Sequence, residues 1–396
     1  DLPPFLGNPG TTFYIDLPTS VLLIHERMIF MIKKLISFFQ KDAVLTVSFF
    51  LAVLSCFFCP PGPQYLGYLD FHTLILLFCL MLIVAGLREC GVFDWLGTSL
   101  LRHVNSERMV ALLLISLCFF CSMLITNDVA LITFVPFGIL LLRMCHMEQK
   151  KILLVTFMTM AANLGSMFTP IGNPQNLYLY SLSGLSLLQF LLMMLPYTLG
   201  AAVLFLICIF LFFSGKKISV SLEKKAITHP RQIAVFAALF FCCILTVAKL
   251  LPHSILLLIT IAGICLVNRS LYRRADYSLL FTFVFFFLFI GNMKQMAALR
   301  IYLEQMITGH ERLLSVLTSQ IISNVPAAML LSGYTKEIPE LIVGTNLGGL
   351  GTLIASMASL ISYRQITAAD ASCRKKYILV FTVFNLVFLA ILYQIR

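Results

Sequence analysis

The chain has 396 residues, 60% of them hydrophobic and 11% charged, with a formal net charge of +11. Soluble domains run at roughly 45–50% apolar and about 25% charged residues, so the composition argues against a soluble enzyme and for one integral membrane domain, all-α and polytopic. The cations sit in short loops between apolar runs, with no basic stripe interleaved with exposed aromatics, and this argues against nucleic acid as a partner.

Residues 1–42 read as an N-terminal tail and an amphipathic lead-in segment. Pro3, Pro4, Pro9 and Pro18 fall there without a basic stretch followed by an apolar one, so no cleavable signal peptide is expected. A crossing helix needs about 20 apolar residues, with 17 tolerated. Runs that meet or approach this are 43–59, 71–87, 151–180, 187–213, 232–251, 254–267, 278–293, 338–362 and 377–395. Two others, 109–142 and 313–335, are interrupted by Thr126-Asn127-Asp128 and by Ser323-Asn324. Each is predicted to be a re-entrant helical hairpin, whose irregular tip is tolerated at depth only when buried in protein or lining a cavity.

Charge in the loops orients this set, because Lys and Arg collect on the cytoplasmic side. With a cytoplasmic N-terminal segment and hairpins that return to the side they left, only Lys249, Lys294, Arg300, Arg312, Lys336 and Arg396 of the 28 cations face outward. Apart from Arg27 in the lead-in segment, the remainder gather on the other side. The expected location is the plasma (inner) membrane, in contact with lipid on all sides.

The hairpins also reveal a duplication. Ile125-Thr126-Asn127-Asp128-Val129-Ala130 matches Ile322-Ser323-Asn324-Val325-Pro326-Ala327 at an offset of 197, and Ala162-Asn163-Leu164-Gly165-Ser166 matches Thr345-Asn346-Leu347-Gly348-Gly349 at 183. Thr169 and Thr352 share the second offset. The expected division is repeat 1 over 43–213, with hairpin 109–142 and broken helix 151–180; a basic loop and linking helix over 214–253; and repeat 2 over 254–396, with hairpin 313–335 and broken helix 338–362. The single linking crossing makes the repeats inverted, an arrangement found in secondary transporters with a substrate site near the midplane.

The chemistry is expected at the interruptions. Gly165-Ser166-Met167-Phe168-Thr169-Pro170-Ile171-Gly172-Asn173-Pro174 cannot continue a helix, since Pro removes a donor and Gly weakens the interior. Freed N–H groups at a half-helix start suit an anion, and freed carbonyls suit a cation such as sodium. Gly348-Gly349-Leu350-Gly351-Thr352 makes the second break with Gly alone. The expected substrate- and ion-binding set is Thr126, Asn127, Asp128, Asn163, Gly165, Thr169, Asn173, Ser323, Asn324, Thr345, Asn346, Gly348 and Thr352, with sodium at Asn127, Asn163, Asn324 and Asn346.

Of the 17 acidic residues, Asp128 alone falls within the expected membrane layer. An intramembrane acid is a functional candidate by default, so Asp128 reads either as a proton or cation carrier or as a cap, shared with Asn127, for the returning helix. Two Cys-Phe-Phe-Cys runs, Cys56 to Cys59 and Cys118 to Cys121, lie in apolar helices with no third ligand nearby and read as packing residues.

On the paired tips, on Asn-Leu-Gly followed by Thr169-Pro170-Ile171-Gly172-Asn173-Pro174, and on Gly86-Leu87 with Gly91-Val92-Phe93, the chain resembles the ion transporter superfamily over residues 43–396. That group includes divalent anion:sodium symporters, citrate transporters, arsenite permeases and sodium/proton antiporters. The resemblance implies that the two tips and two breaks move together against a scaffold that often forms a homodimer. In the carboxylate branch the tips resemble Ser-Asn-Thr; here the third positions are Asp128 and Val325, and the Asn127-Asp128 pair is more like the arsenite permease and antiporter branches. The expected function is therefore secondary active transport of a small anion, citrate-like or inorganic, driven by sodium or protons. Arsenite or antimonite efflux and sodium/proton antiport are the alternatives within the superfamily, and a channel is the alternative outside it. An enzyme is not expected: no His-Glu-x-x-His and no second intramembrane acid is present.

Overall fold

The computed structural model describes residues 43–101, 104–218 and 227–395. The expectations placed on the tail and lead-in segment, and on Arg102 and Arg396, lie outside the described residues. Helices account for the regular structure, apart from one isolated β-bridge between Ser106 and Lys217. Among the described residues seven helices are long and apolar enough to cross a membrane.

The first unit begins with α1 (Ala43–Cys56), the short α2 (Gln64–Tyr68) and α3 (Phe71–Glu89), and continues through α4 (Val92–Leu101) to the hairpin pair α5 (Glu107–Ile125) and α6 (Asn127–Met144). The broken helix follows as α7 (Lys151–Ser166) and α8 (Pro174–Ser183), then α9 (Leu187–Phe212) and the linker α10 (Pro230–Val247). The part expected to be the second unit follows with α11 (His253–Val267), α12 (Tyr277–Gln295), α13 (Ala297–Ile307), the pair α14 (Glu311–Ile322) and α15 (Asn324–Leu331), the interrupted α16 (Ile338–Gly348) and α17 (Met357–Ala369), and α18 (Arg374–Tyr393). The short helices α4 and α13, at matching places in the two units, carry no apolar run and were not expected from the sequence.

Helix starts sit where the chain leaves the apolar layer. Asp70 accepts from the Thr73 N–H to cap α3, Ser106 caps α5, and Ser186 with Gln189 forms a capping box on α9. Such side chains satisfy first-turn N–H groups that lipid cannot.

Polar contacts between loops form two sets. On one side Lys151 pairs with Asp370 at 2.8 Å, Arg274 with Glu89 at 3.4 Å, and the Ser214 hydroxyl donates to Glu107 at 2.6 Å. On the other, Ser181 donates to Asp70 at 2.7 Å, Gln295 to Tyr68 at 2.7 Å, and Arg312 pairs with Glu340 at 2.8 Å. Each contact joins segments that the charge pattern assigns to one face.

Helix pairing is reciprocal between the units. α1 packs on α12 while its counterpart α11 packs on α3, and α6 packs on α17 while its counterpart α15 packs on α8. Within the units α5 packs on α7 and α14 on α16. The hairpins differ in reach. α5 and α6 have 19 and 18 residues, whereas α14 and α15 have 12 and 8. At 1.5 Å per residue the second pair spans roughly 18 and 12 Å, too short to cross. The tip of the longer pair meets the break of α7 and α8, and by length and composition both of its arms are among the seven helices able to cross.

Candidate functional site

Both hairpins turn on a single residue. Thr126 has φ 70° and ψ 151°, and Ser323 has φ 74° and ψ 156°. This region is essentially restricted to Gly and costs about 1–3 kcal/mol for other residues. Two residues at equivalent positions hold it identically, so the surrounding packing enforces the turn. The helix that returns from each tip starts with an asparagine, Asn127 on α6 and Asn324 on α15.

The breaks occur where the sequence places them. Between α7 and α8 lies a 3-10 turn over Pro170–Gly172, capped by the Thr169 hydroxyl, which accepts from the Gly172 N–H. Between α16 and α17 the chain runs irregularly from Gly349 to Ser356, with Gly351 at φ 113°. Each break is bolted to its own hairpin in the same way. The Thr169 hydroxyl donates to the Met123 carbonyl, and the Thr352 hydroxyl donates to the Gln320 carbonyl at 3.3 Å. Met123 and Gln320 each precede their tip by three residues. Gln320 adds three bonds of its own, donating to the carbonyls of Gly348 at 3.0 Å and Leu350 at 2.9 Å and accepting from the Thr352 N–H at 2.9 Å.

Gly165 and Gly348 allow this contact. A Cβ on Gly165 would lie 2.0 Å from the Phe119 carbonyl oxygen, and one on Gly348 would lie 2.6 Å from Ser319 Oγ. α5 and α7 therefore touch through backbone, whereas Gly348 on α16 packs against the Ser319 side chain of α14.

The two units meet at amide side chains. Asn163 Oδ1 accepts from Asn127 Nδ2 at 3.0 Å and from Ser356 Oγ at 3.1 Å, while its Nδ2 donates to Ser359 Oγ at 3.4 Å and to the Gly349 carbonyl at 3.5 Å. One side chain thus joins the first tip, the first break and the second break. Its counterpart Asn346 donates to Asn176 Oδ1 at 2.6 Å and to the Ile342 carbonyl at 2.7 Å. Asn176 in turn holds the carbonyls of Ser166, Met167 and Thr169, and Asn173 donates to Ser166 Oγ at 2.6 Å.

The halves are not equally satisfied. Asn163 Oδ1 has two donors, but the equivalent Asn346 Oδ1, and Asn173 Oδ1 in the first break, have no hydrogen-bond partner among the described residues, although both residues are 3% exposed. A buried amide oxygen without a donor costs about 1–3 kcal/mol, so these oxygens are available to a bound ion or water.

Asp128 stands apart from the amide network. Asn127 Oδ1 accepts from the Asp128 N–H at 2.9 Å, and neither side chain makes an N-cap bond to α6, whose cap position is Thr126. The Asp128 carboxylate makes no hydrogen bond among the described residues and lines a cavity of about 520 Å³. Thr126 lies beside it, and Arg88, Glu89, Arg274 and Asp276 line the same cavity. Those four sit at the ends of α3 and α12 on the face expected to be cytoplasmic.

Thr345 is the expected site residue that the structure turns away: its hydroxyl is spent on the Leu341 carbonyl of its own helix at 2.7 Å. Asn176, Gln320, Ser356 and Ser359 were not anticipated. Ser356 and Asn173, like Ser359 and Asn176, share the 183 offset, and extending the repeat comparison past Thr352 finds them.

Comparison with known proteins agrees with this architecture. The family described as citrate transporter matches residues 28–343. The chain is 31% identical over 329 residues to the inner membrane protein YbiR of Escherichia coli (strain K12), covering 82% of this chain and 88% of that protein. It is 33% identical over 296 residues to the uncharacterized transporter MJ0456 of Methanocaldococcus jannaschii, covering 74% and 81%. A shorter match, 33% over 145 residues and 36% of this chain, is to the silicon efflux transporter LSI3 of Oryza sativa subsp. japonica, of which it covers 30%. With its apolar helices, broken crossings and these relatives, the chain is an integral multi-pass membrane protein of a transporter rather than an enzyme lineage, and it belongs to the citrate transporter family.

Proposed function

We propose that the protein is a secondary active transporter of a small anion, carboxylate or inorganic, working by alternating access and coupled to a sodium or proton gradient. The observation that carries this reading is the joining of both breaks at Asn163 and Asn346, beside the tips at Asn127 and Asn324. A site assembled from two such units can be offered to one face and then the other. Helices α6, α8, α15 and α17 all begin around it, and their partial positive ends suit an anion. Reciprocal pairing of α1 with α12 and α3 with α11 supports an inverted repeat with re-entrant hairpins. The name of YbiR supports the inner membrane, and the superfamily resemblance supports a homodimer.

Sodium fits Asn346 better than Asn163, because Asn346 Oδ1 is free to coordinate, as is Asn173 Oδ1 of the first break, while Asn163 Oδ1 already accepts two hydrogen bonds. Proton coupling falls to Asp128, whose cavity reaches the cytoplasmic ends of α3 and α12. That same acid favours a second reading, export of an arsenite-like oxyacid or sodium/proton antiport, and the silicon efflux relative adds silicic acid to its cargo class.

The experiment is a thermal-stability screen of the purified protein against citrate, succinate, sulfate, arsenite and silicic acid, with and without sodium, followed by liposome uptake. A ligand at 100 times its Kd stabilises the folded state by about 2.7 kcal/mol. Stabilisation by an anion, enhanced by sodium in wild type but not in Asn346→Ala, is the expected result. A shift with arsenite or silicic acid alone selects the second reading, and ohmic currents in place of saturable uptake would identify a channel.

A further inference from the structure

On the outward face cations are few and mostly committed. Lys249 donates to the Leu185 carbonyl at 3.2 Å, Arg300 pairs with Glu304 at 2.7 Å, and Arg312 holds Glu340 at 2.8 and 3.2 Å. Lys294 at the end of α12 and Lys336 after α15 differ. Among the described residues neither side chain has an ion pair, and both line one cavity of about 400 Å³.

That cavity is lined by the end of α2, the Asp70 cap of α3, α12, α8 and the turn between α15 and α16. Its wall includes Tyr178 and Ser332, whose hydroxyls lie 2.9 Å apart; Ser332 donates onward to the Met329 carbonyl, so the Tyr178 O–H donates to Ser332. Asp70 also reaches the cavity, but its carboxylate already accepts from the Thr73 N–H, the Thr73 hydroxyl and the Ser181 hydroxyl. Those neutral donors leave Asp70 its charge, so the lining sets two ammonium groups on separate elements against one carboxylate and keeps a positive excess. The tip residues Ser323 and Asn324 do not line the cavity, so it is separate from the amide cluster.

We propose that this cavity is an outer vestibule that captures a small oxyanion, carboxylate or inorganic, through Lys294 and Lys336 before it reaches the central site. This rests on the anion-transport reading. Two ammonium groups opposed by one hydrogen-bonded carboxylate leave a net positive cleft, which concentrates anions within a Debye length, about 8 Å at physiological salt, toward the lower end of the about 10–10³ that such focusing gives. The vestibule acts on capture and not on the central step, so its loss appears in KM and leaves kcat alone.

The test is initial-rate uptake from the outer face by the reconstituted full chain, with labelled succinate and sulfate as separate probes, in wild type, Lys294→Gln/Lys336→Gln and Lys294→Arg/Lys336→Arg. The Gln pair is expected to raise KM about 3–10-fold with kcat within twofold and to flatten the salt dependence of KM, while the Arg pair stays near wild type. A rise for succinate alone identifies a carboxylate vestibule, and a rise for both identifies a general oxyanion one. Unchanged KM and salt dependence with robust anion uptake would overturn the vestibule and leave the anion reading standing. Absence of any anion uptake by wild type would overturn both, and a fall in kcat together with thermal stability would reassign the lysines to folding.

Discussion

Gly165→Ala tests whether the first hairpin and the first break form one rigid body. The new Cβ would sit 2.0 Å from the Phe119 carbonyl oxygen and 2.7 Å from Ser122 Oγ. Carbon-to-oxygen contacts settle at roughly 3.3 Å, so α5 and α7 must separate by more than about 1 Å. Overpacking of this kind costs about 1–3 kcal/mol. The obstacle is backbone and cannot rotate away, which puts the cost near the upper end. Separation also opens the 3.0 Å bond from Asn127 to Asn163, adding about 1 kcal/mol. The expected total is roughly 3–4 kcal/mol, with loss of uptake. Thermal midpoint and liposome uptake measure it, with Gly67→Ala as control because nothing lies within 4 Å of its Cβ. Gly348→Ala should be milder, since its nearest obstacle at 2.6 Å is the Ser319 hydroxyl, a side-chain atom. A Gly165→Ala protein with wild-type midpoint and rate would refute the rigid backbone contact.

Replacing Thr126 or Ser323 by Gly relieves a backbone conformation costing about 1–3 kcal/mol; each variant should melt higher than wild type, and an unchanged or lower midpoint would show the tips are not strained. Asp128→Asn should abolish the pH dependence of transport while exchange of cargo persists, whereas unaltered transport with reduced stability would return Asp128 to a structural role. Asp370 is held below the ordinary carboxylate range, first by the hydrogen bond from Lys151 and then by Ser372 and Cys373. A depressed folded pKa stabilises above the unfolded value of about 3.9 and loses that stabilisation as pH falls through the folded one. The gap in thermal midpoint between wild type and Asp370→Asn should therefore be full at pH 7, begin to narrow as pH falls below about 4, and close only at the depressed folded value; a gap constant with pH would exclude the ion pair as its origin.

The membrane class, the positions of both breaks and the two tips are decided by the sequence itself. Pro170 and Pro174 remove donors, Gly348 and Gly349 weaken a helix, and Asn127 and Asn324 interrupt apolar runs, all effects that act within a turn of the residue causing them. Loop cations add sidedness, because their distribution depends on translocation and not on packing. Tertiary structure alone decides which amides meet. Asn163 finds Ser356 and Ser359 in the other half of the chain, and Asn346 finds Asn176. It also spends Thr345 on its own helix, turns the Asn127 amide oxygen onto the adjacent Asp128 N–H, and leaves Asn346 Oδ1 open while closing its counterpart. The helical breaks are local backbone chemistry and so are written locally. The asymmetry between two near-identical half-sites arises from which helices press together across some 180 residues, and no short window of sequence carries that choice.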